Sequence, residues 1–78
     1  MTLEIISAHE ITFQGEASSV MLPGKLGRFT VLKNHAPIIS VLVKGNVKYV
    51  TSDGEEHLLP IEGGLADVCH NRISVCVY

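Results

Sequence analysis

Glycine or proline interrupts this chain at positions 15, 23, 24, 27, 37, 45, 54, 60, 63 and 64, and that punctuation limits the fold more than any other feature. No segment between the breaks carries the pattern of an amphipathic helix of useful length. The segments are short and β-branched, which reads as strands. Ile73, Val75 and Val77 alternate with Ser74, Cys76 and Tyr78. Ile11 and Phe13 alternate with Thr12, Gln14 and Glu16, and Val47 and Tyr49 bracket Lys48. A period of two predicts a sheet with one dry face. Strands are expected over 2–7, 11–16, 18–23, 27–32, 38–43, 46–51, 55–61, 64–69 and 72–78. Lys44-Gly45-Asn46 and Ser52-Asp53-Gly54 read as hairpin turns, with Glu62-Gly63-Gly64 and His70-Asn71 as further turns. The expected fold class is all-β, a flattened antiparallel β-sandwich or barrel of about eight to ten short strands.

With 78 residues the chain makes one domain. A core of this size contributes no more than about 3–5 kcal/mol on its own. Charged residues are 18% of the chain, against about 25% in typical globular domains. So little solvating charge implies that part of the surface is covered by something else. Net charge is −2, with the Lys and Arg residues scattered singly. Nucleic acid is a poor candidate partner, because phosphate binding wants clustered cations. The longest apolar run, Ile38 to Val43 broken only by Ser40, is far short of a membrane-spanning helix. No direct membrane insertion and no secretory signal are expected.

Cys69 and Cys76 fall on neighbouring strands joined by the His70-Asn71 turn, with Cys69 facing Arg72. The resulting offset is roughly 13 Å at about 3.3 Å per residue, beyond the reach of a disulfide. Both read as free thiols, which suits a reducing compartment. His9, His35, His57 and His70 show no ligand spacing, and no C-x-x-C occurs. Cys69 and His70, adjacent in sequence, should point to opposite faces. No nucleophile elbow is present, so neither catalysis nor a metal or other cofactor is expected. Gly24, Gly27, Gly63 and Gly64 lead into strands rather than helices and read as tight turns, not phosphate loops. Pro37 pushes Ala36 into an extended conformation, so Lys33-Asn34-His35 forms a turn into the apolar strand. On these facts His35 is either structural or partner-facing.

The ordered set Leu3-Glu4-Ile5-Ile6-Ser7, Phe13-Gln14-Gly15-Glu16, Leu22-Pro23-Gly24, Gly27, Val31-Leu32, His35-Ala36-Pro37, Leu42, Gly45, Gly63-Gly64 and Asn71 resembles a known family. It is similar to the N-terminal β-sandwich domain of the ATP synthase epsilon subunit, called delta in mitochondria. The resemblance covers essentially the whole chain. It implies a non-catalytic subunit of the central stalk, which binds the gamma subunit and the polar loops of the c-ring. Contact with the alpha/beta catalytic head would be indirect. Such a subunit couples ion-driven rotation to ATP synthesis. The implied location is the cytoplasmic face of a bacterial cell membrane, as part of the complex. The resemblance assigns Ser7, His35 and Ser40 to a gamma-facing side and Lys25, Leu26 and Arg28 to a c-ring-facing side. It also implies a single sandwich domain over 1–78, without the helical hairpin that usually follows in the family. Two departures stand out. Arg28 replaces an acidic or small polar residue, so either its partner carries compensating acid or Arg28 points elsewhere. Lys33-Asn34 replaces Pro-Gly, and Asn tolerates the left-handed turn needed there.

Overall fold

The computed structural model describes residues 1–8 and 10–78. His9, counted above among the histidines, lies outside the described residues. Eight strands form: β1 (Thr2–Ser7), β2 (Glu10–Gly24), β3 (Gly27–Leu32), β4 (Ile38–Leu42), β5 (Gly45–Thr51), β6 (Glu56–Ile61), β7 (Gly64–Cys69) and β8 (Arg72–Val77). The fold is the expected all-β flattened sandwich. One layer runs from the first half of β2 through β1, β8 and β7 to β4. The other holds β3, the second half of β2, β5 and β6. A single pairing, Gly24 with Leu42, joins β2 to β4 at one corner.

Three local expectations are corrected. The segments 11–16 and 18–23 are one strand, β2, which crosses from layer to layer at a bulge between Ala17 and Ser19. The extra residue bends the strand without ending it. Lys44-Gly45-Asn46 is not a hairpin turn, because β4 pairs with β7 while β5 pairs with β2 and β6. The chain changes layer there. Pairing is also not antiparallel throughout: β1 and β8 run parallel, Thr2 opposite Arg72 through Ser7 opposite Val77.

Alternation holds for β8, where Ile73, Val75 and Val77 are buried, and for Val47 and Tyr49 on β5. It fails at Ile11, which is 58% exposed. The β1–β2 register slips between Ile5 and Ile6, pairing Ile5 with Phe13 but Ile6 with Ile11. Thr12 is the extra residue, and a one-residue slip turns Ile11 to the outer face. Phe13 keeps its core side, with its ring centroid 4.7 Å from that of Tyr49 on the opposite layer. Burial pushes the Tyr49 hydroxyl pKa up.

The β7–β8 turn has positive φ at His70 (50°) and Asn71 (60°), as a tight two-residue hairpin requires. Asn71 also ties three elements together. Its carbonyl accepts from the Thr2 N–H at 3.1 Å, and its Oδ1 accepts from the Asn34 N–H at 3.0 Å. Asn71→Gly keeps the backbone freedom and loses the side-chain bond, an expected cost of about 1 kcal/mol. Asn71→Ala adds a left-handed penalty of about 1 kcal/mol. Urea unfolding should therefore rank wild type above Gly above Ala, and equal Gly and Ala variants would refute the backbone account.

The β5–β6 turn is held by Asp53, whose carboxylate accepts from the Thr51 hydroxyl and from the Glu55 N–H. Those bonds, the Thr51 one foremost, hold the carboxyl below the usual aspartate value. A depressed folded-state pKa contributes stability that is complete above the unfolded value and lost as pH falls through the folded one. Asp53→Asn should flatten the acid limb of the stability–pH profile without moving the neutral plateau by a comparable amount. Unfolding midpoints measured across the acid range check this.

Candidate interaction surfaces

Lys25 and Leu26 form the tip of the β2–β3 hairpin. Gly24 lets that hairpin close, because a Cβ there would lie 2.7 Å from the Gly27 carbonyl and 2.9 Å from the Phe29 ring. The tip is seated on β4 by two backbone bonds, Lys25 N–H to the Val41 carbonyl at 2.8 Å and Val43 N–H to the Pro23 carbonyl at 2.9 Å. Between the tip, β3 and β4 lies a groove of about 610 Å³, lined by Lys25, Leu26, Arg28, Phe29, Ile39 and Ser40 among others. Leu26 is fully exposed at 102%. Two cations and no acid line the groove.

Arg28 does not reach out from the tip. Its Nη2 donates to the Asn46 carbonyl at 3.0 Å, and its Nε lies 3.3 Å from the Met21 sulfur. The β2–β5 ladder stops at the Met21–Lys48 pair. Continuing that register would bring Pro23 opposite Asn46, and proline has no N–H to donate. The guanidinium supplies the donor instead. The side chain thus runs across the outer face of β2.

His35 sits half-buried where the chain leaves β3, its N–H donating to the Leu32 carbonyl at 3.1 Å. Asn34 has a φ of 62°, the left-handed turn expected of it. The His35 Nδ1 lies 2.7 Å from the Ala36 carbonyl, which accepts, fixing the ring against its own backbone. Ser40 borders the groove with Lys25, Leu26 and Arg28. Ser7 lies at the other end of the layer, opposite Val77, whereas Ile38, next after the His35 turn, lies in the row of Val68, Ile73 and Leu3. The structure thus groups Ser40 with the hairpin tip and separates Ser7 from His35.

A third surface was not anticipated residue by residue. Register places Val41, Leu65, Cys76, Ile6 and Ile11 in one row across five strands of the first layer. Val41, Leu65 and Ile11 are 53%, 47% and 58% exposed. The apolar run at 38–43, hydrophobic at both parities, and the low charge were its sequence signals.

Cys69 and Cys76 are free thiols, with Cys69 opposite Arg72 as expected. The expectation that Cys69 and His70 diverge is corrected: Sγ and Nδ1 are 3.0 Å apart. His70 is left-handed, which breaks the strand alternation at that step. Among the described residues no group of three His, Cys, Asp or Glu is placed to hold a metal ion. No helix among them is long and apolar enough to cross a membrane.

The fold and these surfaces define a small β-sandwich whose exposed apolar faces suit it to assembly with other chains. Its family follows from sequence: residues 1–78 match the family described as ATP synthase, Delta/Epsilon chain, beta-sandwich domain, and the chain belongs to it. It is 41% identical over 71 residues to an ATP synthase epsilon chain of Chlorobaculum tepidum, covering 91% of this chain and 81% of that one. It is 38% identical over 77 residues to the epsilon chain of Desulfosudis oleivorans, covering 99% of this chain and 58% of that one. The share of the relative's length that the chain spans therefore differs widely. Among solved structures it resembles a chain of the Euglena gracilis mitochondrial ATP synthase (OSCP/F1/c-ring), with TM-score 0.90, 19% identity, and coverage of 96% and 48%. A chain of the Tetrahymena thermophila mitochondrial ATP synthase central stalk and c-ring gives TM-score 0.80, 15% identity, and coverage of 99% and 62%. At those identities the likeness speaks for the fold alone.

Proposed function

We propose that this chain is a non-catalytic subunit of the ATP synthase central stalk, which binds gamma and the c-ring loops and helps couple ion-driven rotation to ATP synthesis. The family match over residues 1–78 carries the reading. In this reading the chain works on the cytoplasmic side of a bacterial membrane as part of the complex. The resemblance offers Lys25, Leu26 and Arg28 as candidates for the c-ring side and Ser7, His35 and Ser40 as candidates for the gamma side. Leu26 and Lys25 project from a braced hairpin, so they are the c-ring contacts to test, while Arg28 braces β5. Ser7 and His35 occupy opposite ends of one layer, so a gamma contact through both spans that layer. A sandwich with short turns supplies the stiffness that torque transfer asks of such a body.

Tagging the chain in its host, solubilising membranes gently and identifying what co-purifies tests the reading. Gamma, alpha, beta and the c subunit should be recovered. Leu26→Glu or His35→Glu should lower that recovery at least about tenfold, equivalent to about 1.4 kcal/mol, in a chain that remains folded. Recovery of none of these subunits, from membranes that contain assembled synthase, would replace the stalk role by that of a free-standing binding module.

A further inference from the structure

The groove between the hairpin tip and β4 is bordered by two strand edges that no other strand among the described residues covers. β3 pairs only with β2, and β4 pairs with β7 and, on its other side, with β2 at Gly24 alone. Backbone direction alternates along a strand. The Val41 carbonyl and the Val43 N–H both bond the hairpin, so Ile39 turns its N–H and carbonyl to the same side. In the β2–β3 hairpin, Gly24 and Gly27 form the closing pair around a two-residue turn, which turns the backbone groups of Arg28 and Thr30 away from β2. Unpaired edges of this kind are templates for another chain. The side chains around them are apolar at Leu26, Phe29, Ile39 and Val41. The charge at the rim is positive: Lys25 forms no ion pair among the described residues.

We infer that the groove receives a short extended segment of a partner polypeptide, which pairs with the free edge of β4 at Ile39 and sets a carboxylate against Lys25. Backbone pairing gives affinity in such strand addition, and alternate side chains give specificity. A carboxylate is specified because the lining offers cations and no acid. A second copy of this chain is disfavoured as the occupant, since the lining around its own β4 edge holds no carboxylate to meet Lys25. The inference rests on the stalk reading for the complex in which the segment is sought, and on the groove itself for the mode of binding.

Hydrogen exchange of the Ile39 and Val41 amides, compared between the isolated chain and the complex purified through it, tests this. The isolated chain should exchange Ile39 rapidly, and the complex should slow it at least about a hundredfold. Ile39→Pro removes the N–H that faces the groove and none that pairs with β7. It should lower retention in the complex at least tenfold while the isolated variant melts within a few degrees of wild type. Lys25→Glu should lower retention as well, and the loss should shrink at high salt. Equal exchange at Ile39 in the two states, in a chain that does co-purify with the synthase, overturns the inference and leaves the stalk role standing. Protection that instead grows with concentration in the isolated chain assigns the edge to self-association and also overturns it. If the chain fails to co-purify, the stalk role and this inference fall together.

Discussion

Gly64→Ala is expected to lower the melting temperature by roughly 12–24 °C, from a loss of about 3 kcal/mol at 4–8 °C per kcal/mol for a domain of this size. Gly64 sits mid-layer, paired with Leu42 on one side and Val77 on the other. A Cβ there would lie 2.2 Å from the Cys76 carbonyl oxygen and 3.0 Å from the Val77 Cα. Both obstacles are backbone held in a ladder, so relief requires moving a strand rather than a side chain. Gly63→Ala is the matched control. Its Cβ would meet the Tyr78 hydroxyl at 2.7 Å, but that ring is 78% exposed and can swing away. Thermal melts of the two variants should therefore diverge widely. If Gly64→Ala melts as Gly63→Ala does, the close approach of β7 and β8 is not what requires glycine.

Ile5→Ala should leave the isolated chain largely unfolded. Ile5 is completely buried on β1, between Val75 of β8 and Phe13 of β2. Removing a buried isoleucine to alanine costs about 2–5 kcal/mol, and a core of this size contributes no more than about 3–5 kcal/mol. Ile5→Val, which leaves most of the volume in place, should cost about 1 kcal/mol. Far-UV circular dichroism and denaturant titration distinguish the two. A cooperative unfolding transition for Ile5→Ala close to that of wild type would show that β1 contributes little to the core. Bound partners would mask part of the loss, because anything that binds only the folded state stabilises it.

Much of the fold was legible because its rules are local. Turn residues marked where strands end, and alternation at Ile73, Val75 and Val77 marked which face is dry. The His70-Asn71 hairpin and its cysteine register followed from two left-handed residues and a count. What escaped was long-range or rested on one residue. Nothing in 11–23 announces that one strand crosses between layers, since a bulge at Ala17 needs only an extra residue. The slip that exposes Ile11 is equally silent. Lys44-Gly45-Asn46 has hairpin chemistry, but the pairing of its flanking strands is decided by partners far along the chain. Of the candidate site residues, Leu26 and Lys25 occupy a projecting tip as a hairpin predicts, whereas the direction of Arg28 depended on a missing proton on Pro23. The groove itself was not visible, because β3 and β4, though consecutive, pair with different strands, β2 and β7, and only that long-range choice leaves an edge of each open.

The parallel pairing of β1 with β8 bears on how the protein is made. β1 occupies residues 2–7 and one of its two neighbours occupies residues 72–77. A contact between residues so far apart in sequence carries the entropy of closing the long loop between them, and such pairings form slowly. During synthesis the first strand leaves the ribosome with only β2 to lean on, and Leu3 and Ile5 stay without their cover from Ile73 and Val75 until the eighth strand emerges. The first layer thus closes only once the eighth strand has emerged, and chains halted before residue 72 present an apolar strand to chaperones and proteases instead of a sandwich.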